Sequence, residues 1–331
     1  MFRLAELVLA SRTERLPPVS DADAGTPRPF VSIIVPSYNQ GRFLPATLAS
    51  IFAQDYRPLE VVVVDGASTD DTVRVLQEAA ADHPELRWVS EPDDGPEDAL
   101  NKGLSMIRGD IAAIQSSDDI YYPGAIRAAV EAFAQHPEAG IVYGDAEAID
   151  AEGSHVSGPT RYLPFKLQRY LCGSTFIPQS SAFFRPQLAR QVGGVRRRYF
   201  VFDVDLWLRI MFLGPPVKLD RVMSAYRHHE EQRDKQVSEI LTSYRRMLAE
   251  SPEIRRSSWR VRLAAWSGGR MLTQHYNPTG NPRYAAGQMW LALLAYPPSI
   301  RALVKPRLLI PPRPGVRGLV RRLRALLSAS S

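Results

Sequence analysis

The chain has 331 residues, 45% hydrophobic and 23% charged, which supplies a sizeable core and excludes wholesale disorder or a fibrous repeat. A single cysteine, Cys172, excludes an internal disulfide framework and a cysteine-based zinc cluster, and fits a reducing compartment. The net charge of +6 conceals an asymmetry: fourteen Arg or Lys and no Asp or Glu lie between Ile254 and Ser331, leaving a net of −8 over residues 1–253.

Residues 1–29 include LPPVSDADAGTPRP, a Pro/Gly/Asp-rich stretch expected as a flexible lead-in. MFRLAELVLA is interrupted by Glu6 and its apolar run is too short for a secretory signal. No run approaches the roughly 18 uncharged apolar residues of a spanning helix, so a cytoplasmic location is expected. Regular structure then begins with VSIIV (31–35) and EVVVVD (60–65), β-branched runs typical of strands buried on both faces. Phe43, Leu44, Leu48, Ile51 and Phe52 recur at helical spacing between them. STDD at 68–71 predicts a capped helix over 68–81. RWVS (87–90), DIAAI (110–114) and IVYGD (141–145) read as further strands, separated by helical patterns at 96–108 and 123–136. Such alternation predicts an α/β fold: a Rossmann-like, mostly parallel sheet flanked by helices, whose ligand edge is formed by the carboxyl ends of the strands.

Residues 146–175 read as irregular. PQSSAFF (178–184) predicts a strand, Pro186–Val192 a short helix ended by Gly193–Gly194, and 203–214 a helix ended by Gly214. VKLDRVMSAYRHH (217–229) reads as two short strands with a turn at Asp220–Arg221, and 236–250, 254–276 and 284–296 as helices. The expected organisation is a lead-in (1–29), an α/β body (30–235) and a helical, basic C-terminal extension (236–331).

Acids recur at predicted strand ends: Asp65, the pair Asp118–Asp119, and Asp145. Adjacent carboxylates repel, a cost that falls beside a divalent cation or sugar hydroxyls. Hard oxygen ligands favour Mg²⁺ or Mn²⁺, commonly shared with a substrate's phosphates. Such a site would hold a diphosphate leaving group.

PSYN (36–39), DGASTDDT (65–72), DDGPEDALNKG (93–103), GDIAAIQSSDD (109–119), DVDLWLR (203–209) and YRHH (226–229) follow one another in fixed order. Together they resemble glycosyltransferase family 2, inverting nucleotide-sugar-dependent enzymes of the A-type glycosyltransferase fold, over residues 30–235. The resemblance implies that Pro36 and Tyr38 line the nucleotide pocket. Asp65 would accept a hydrogen bond from base or ribose, with Ser68 and Asp70 shaping its loop. Asp94, Asn101 and Lys102 would approach the ribose and sugar-phosphate, Asp118 would bind ribose or sugar hydroxyls, and Asp119 would ligate the metal. Asp203 matches the general base, although Phe202 stands where many relatives carry another acid, and Asp205 competes for the role. His229 matches a histidine near the metal, where an imidazole suits Mn²⁺ better than Mg²⁺. Arg227 and Arg233 would meet phosphate oxygens, and Gln179, Ser180 and Ser181 would border the acceptor pocket. Trp207, among Leu206, Leu208 and Ile210, reads as core, and Cys172 as a small buried residue.

The expected donor is a UDP, GDP or dTDP sugar and the acceptor a glycan or lipid-linked glycan. Val316, Leu319, Val320, Leu323, Leu326 and Leu327 lie opposite Arg317, Arg321 and Arg324 on a helical wheel. That pattern suits an anionic membrane surface on the inner face of the cell membrane. No recognition-helix or zinc-finger spacing supports a nucleic-acid partner. Two other classes remain: a scaffold built on a degenerate transferase domain, which should lack Asp65, Asp119 or Asp203, and a nucleotidyltransferase, which should carry a Gly-rich loop where PSYNQGRF has only Gly41.

Overall fold

The computed structural model describes residues 28–160, 165–173, 175–230, 232–233, 236–276 and 282–297. It divides into two units. The first comprises Met1–Arg161, Ile177–Arg197 and Leu206–His229; the second comprises Tyr162–Phe176, Arg198–Asp205 and Glu230–Ser331. Two segments that precede residue 235 therefore group with the C-terminal helices. The basic amphipathic pattern at 316–327 and residues 1–27 of the lead-in lie outside the described residues.

The first unit is built on a sheet of nine strands. β1 (Val31–Ser37), β2 (Leu59–Asp65), β3 (Leu86–Ser90) and β4 (Ile111–Ile114) run parallel in the order β3-β2-β1-β4. In β1, β2 and β4 the β-branched side chains are buried on both faces, which suits strands covered by helices. α1 (Leu44–Phe52), α2 (Thr72–Asp82), α3 (Pro96–Met106) and α4 (Ala125–Gln135) occupy the connections. A core of Val31, Ile33, Val35, Leu44, Leu48, Ile51, Val61, Val63 and Phe133 fills the layer between sheet and helices.

Beyond β4 the sheet is mixed rather than parallel. β8 (Ala182–Phe184) pairs antiparallel with both β4 and β6 (Ile141–Ile149). β9 (Pro216–Arg227) runs parallel to β6, and β5 (Ile120–Tyr121) antiparallel to β9. β7 (His155–Thr160) forms a hairpin with β6 inside the stretch expected as irregular. Residues 217–227 form one strand, not two. The register slips between Tyr143↔Lys218 and Asp145↔Val222, so the turn-forming Asp220–Arg221 is absorbed as a bulge. Gly144 permits it, since a Cβ there would lie 2.5 Å from the Arg221 carbonyl oxygen. Asp145 is consequently mid-strand, buried and paired with Lys218 at 3.1 Å, not a strand-end ligand.

α5 (Leu167–Leu171), α6 (Pro186–Gln191) and α7 (Phe202–Met211) follow in chain order. The boundary between units falls within α7. Trp207 is fully buried against Phe184, ring centroids 5.4 Å apart, as core. Arg209 is also buried, donating at 2.7 Å to the Val192 and Gly194 carbonyls and so pinning the glycine turn after α6. In the second unit α8 (Val237–Glu250), α9 (Pro252–Arg256), α10 (Trp259–Tyr276) and α11 (Pro282–Ala295) pack together. Ser251 caps the start of α9 through the Ile254 N–H, and the extended backbone of Ser257 ends it, so the helix expected over 254–276 is broken into two. Cys172 is buried there.

Candidate active site

The carboxyl ends of β1, β2 and β4 lie side by side in the sheet, and the loops after β1 and β2 are tied together by hydrogen bonds. Asp65 ends β2 fully buried, accepting from the Ser68 N–H at 2.9 Å, the Ser90 hydroxyl at 2.6 Å and the Ser68 hydroxyl. The Ser68 hydroxyl also receives the Asn39 N–H at 2.8 Å, and the Asn39 side chain accepts from the Thr69 N–H at 2.8 Å. Asn39 and Ala67 take left-handed φ values of 51° and 60° to make these contacts. Asp70 joins the same loops, accepting from Gly41 N–H and Thr72 N–H, both at 2.9 Å. Burial pushes its carboxyl up, but these bonds and the Thr72 hydroxyl outweigh that and hold it below the usual range. STDD is therefore a loop brace. α2 begins only at Thr72, after an Asp71 that makes no side-chain cap.

On this braced platform Tyr38 is exposed and Pro36 half-buried. A water-facing aromatic ring beside a polar loop is a stacking surface. Asp93, rather than Asp94, is the carboxylate that crowds the Asp65 loop: a Cβ on Gly66 would lie 2.9 Å from its Oδ2. Asp94 faces solvent and pairs with Arg197 at 2.8 Å. Lys102 is ion-paired with Glu91. Asn101 holds Val195 at both ends, donating to its carbonyl at 2.9 Å and accepting its N–H at 2.8 Å. This amide positions the loop after α6.

The second cluster lies between β4 and β5. Asp119 is buried and accepts the Arg227 N–H at 2.9 Å, while Asp118 is partly open and meets His229 Nε2 at 2.9 Å. The pairing Ile120↔Ala225 and Tyr121↔Ser224 produces this, because continuing the ladder brings the residues after Ala225 alongside Asp119. Arg227 is buried, and its guanidinium donates to the carbonyls of Asp118 at 2.7 Å, Asp150 at 3.2 Å and Ala151 at 3.1 Å. Burial lowers its pKa against the pull of Asp119 and Asp118. The expected phosphate ligand is thus a brace for the acidic loop. Arg233, in the second unit, stacks over Phe200 and Phe202. Phe43 supports the cluster from α1's entrance, its ring 4.6 Å from His229 and 5.3 Å from the Arg227 guanidinium carbon.

Three supporting residues, two on α1 and one just past its end, carry no motif. Thr47 donates to the Asp119 carbonyl at 2.8 Å, Ser50 accepts the Tyr121 N–H at 3.1 Å, and Gln54 donates to the Tyr122 carbonyl at 3.0 Å. Thr47 and Ser50, three apart, share one face of α1, and Gln54 continues the same spacing beyond its end, the signal that could have revealed them. Gln115, fully buried at the end of β4, finds no hydrogen-bond partner for either amide atom among the described residues. Its signal is a polar residue continuing the Ile111–Ala113 alternation. Gln179 bonds Ser116 and the Ile114 carbonyl, and Ser180 and Ser181 bond Ser224, so all three lie beneath the acidic loop. Asp203 lies in the second unit, half-buried in the first turn of α7, two residues before the buried Asp205.

The chain resembles known proteins in sequence and in fold. The family model described as Glycosyl transferase family 2 matches residues 32–193. A glycosyltransferase of Mycobacterium tuberculosis with no characterised activity is 31% identical over 204 residues, 61% of this chain and 76% of that protein. Chondroitin synthase of Escherichia coli is 28% identical over 195 residues, and the match spans only 28% of the synthase. A mannosyltransferase of Pyrobaculum calidifontis, solved with GDP-Man and Mn²⁺, superposes with a TM-score of 0.60 at 22% identity, covering 98% of this chain and 91% of that one. Residues 1–349 of Staphylococcus aureus TarS, solved with UDP-GlcNAc, give 0.62 at 16% identity, covering 91% and 92%.

Proposed function

The chain belongs to glycosyltransferase family 2, and we propose that it transfers a sugar from a UDP, GDP or dTDP donor to a hydroxyl of a glycan or lipid-linked glycan, with inversion at the anomeric carbon. The observation that carries this reading is the clasp of Asp118 by His229 and of Asp119 by the Arg227 N–H, at the strand edge that also presents Tyr38. In the proposed complex Tyr38 and Pro36 face the base. The Asp65–Ser68 loop and Asp118 meet base, ribose or sugar hydroxyls, and Asp94 and Lys102 border the phosphates with their partners Arg197 and Glu91.

Asp119 and His229 are the proposed holders of a divalent ion. Carboxylate oxygens with one imidazole fit Mn²⁺ or Mg²⁺ in donor type. Among the described residues no three His, Cys, Asp or Glu side chains form a cage, which suits an ion shared with a diphosphate rather than one held by protein alone. Such an ion neutralises charge on a departing diphosphate. Asp203 is the proposed base that removes the acceptor hydroxyl's proton, by its place in DVDLWLR and its partial exposure at a helix start. Asp205 is buried and better placed for a structural role. The acidic body and basic tail favour work beside an anionic membrane, and no described helix is long and apolar enough to cross one.

Calorimetric titration of UDP, GDP and dTDP sugars with and without Mn²⁺ tests the reading. One nucleotide class should bind with Mn²⁺, and Asp119→Asn should weaken it by about 100-fold. Indifference of the intact chain to all of them overturns the proposal.

A further inference from the structure

The second unit carries a face that the transfer chemistry does not use. α10 turns Val261, Ala264, Ala265 and Gly268 inward, and a Cβ on Gly268 would collide with the Leu171 carbonyl. α11 packs on it through buried Met289 and Ala292, whose carbonyl accepts the Ser267 hydroxyl at 2.9 Å. The larger apolar side chains are left outside. Trp259 and Trp266, seven residues apart and so on one stripe of α10, are 62% and 40% exposed. On α11 Trp290, Leu291 and Leu294 are 50%, 52% and 75% exposed.

Charge on this hairpin has one sign. Arg260 and Arg262 are exposed on α10, as are Arg255 and Arg256 on α9 just before it, and no acid occurs after Glu253. The Arg260 and Arg270 guanidinium carbons lie 5.4 Å and 3.9 Å from the ring centroids of Trp259 and Trp266. Indole rings beside guanidinium groups combine an apolar body with a cationic tip, which suits the boundary between acyl chains and headgroups. A surface with cations and no acids has its complement in anionic phosphates.

We propose that the outward face of the α10–α11 pair docks on an anionic lipid bilayer, lying in the headgroup region with Trp259, Trp266, Trp290, Leu291 and Leu294 inserted and the arginines on lipid phosphates. This attachment is separate from the tail beyond residue 300 and does not depend on the donor or the acceptor.

Tryptophan reports on it directly, because three of the chain's five tryptophans lie on this face. The full chain is mixed with equimolar phosphatidylglycerol–phosphatidylcholine vesicles, or with phosphatidylcholine alone, each carrying dibrominated acyl chains. The intact protein should sediment with the anionic vesicles about tenfold more strongly than with the neutral ones, with quenched indole emission. Trp290→Ser with Leu294→Ser should lower partitioning by about tenfold, at an unchanged melting temperature. Arg317→Ser with Arg321→Ser, in the tail, should leave the quenching in place. Equal partitioning of the intact protein and the Trp290→Ser/Leu294→Ser variant, absence of quenching, or equal binding to neutral vesicles overturns the proposal. So does a self-associated chain that Trp290→Ser dissociates and that ignores lipid.

Discussion

His229 Nε2 lies 2.9 Å from Asp118 Oδ2 although 111 positions separate the two residues. Two residues before His229, the Arg227 N–H addresses Asp119. The end of β9 therefore meets both members of the acidic pair, one through an imidazole and the other through its main chain. The two-residue strand β5 sets this register, and Arg227 ties the same loop to the β6–β7 turn at Asp150 and Ala151. The result gives two adjacent carboxylates different surroundings: Asp119 is held from the main chain, while Asp118 remains partly open and meets an imidazole.

His229→Gln retains a polar side chain but removes the imidazole. The expected outcome is a fall in kcat/KM of about 10- to 100-fold, with the melting temperature of the ligand-free protein nearly unchanged. Differential scanning fluorimetry with donor should show the Mn²⁺-dependent gain in melting temperature shrinking in parallel. An unaltered Mn²⁺ response alongside lost turnover would place the imidazole's work elsewhere than at the ion.

Thr47→Val removes the hydroxyl under the Asp119 carbonyl without changing side-chain shape. A buried acceptor left unpaired costs about 1–3 kcal/mol, and urea unfolding should register a loss in that range. Because the lost bond supports the loop and not a ligand, donor affinity should fall by about tenfold or less, in contrast to Asp119→Asn. A donor affinity as poor as that of Asp119→Asn would mean that Thr47 acts on the ligand itself.

The parallel half of the sheet was readable because β-branched runs alternating with helical patterns leave few topologies. The acid pair was readable because two adjacent carboxylates demand a reason. Thr47, Ser50 and Gln54 were hidden, since polar residues at helical spacing look like a solvated stripe until the backbone opposite them is known. The continuity of β9 was hidden by Asp220–Arg221, which favours a turn locally but is taken up by a bulge over Gly144. Arg227 looked like a phosphate ligand because a cation beside a histidine invites that reading; only the three carbonyls converging on it reveal the brace. The antiparallel entry of β8 depends on long-range pairing that no local pattern encodes.

Glu60, far from the ligand edge in sequence register, offers a pH test of the scaffold. It is 2% exposed on β2 and accepts from the Ser32 hydroxyl at 2.7 Å, the Arg108 N–H at 2.7 Å and the guanidinium groups of Arg108 and Arg87 at 3.0 Å. Burial pushes its carboxyl up, but these donors outweigh burial and hold it below the ordinary glutamate value. A depressed folded-state pKa gives stability that is full above the unfolded-state pKa and is lost as pH falls through the folded one. Glu60→Gln should therefore cost about 2–4 kcal/mol near neutrality, and the gap to the intact protein should narrow below about pH 4. Urea midpoints across this range check it, and a gap independent of pH would mean that packing, not ionisation, sets the cost.

Asp203 and Asp205 share the first turn of α7, and their burial separates them. Asp203 is half-buried, whereas Asp205 is 1% exposed. A general base must both touch its substrate and accept a proton. Asp203→Asn keeps the shape and removes the basicity, so transfer to acceptor should fall by about 10²- to 10⁴-fold while calorimetric donor binding and the melting temperature stay near their original values. Asp205→Asn should do the reverse: a stability loss of about 1–3 kcal/mol from an altered buried polar group, with turnover per folded molecule changed only a few-fold. Measuring both variants by the same two assays resolves the assignment, because a base and a buried structural carboxylate exchange their signatures between stability and rate. If Asp205→Asn abolishes transfer in a fully folded protein and Asp203→Asn does not, the base is the inner residue and α7 must open its first turn for the acceptor to reach it.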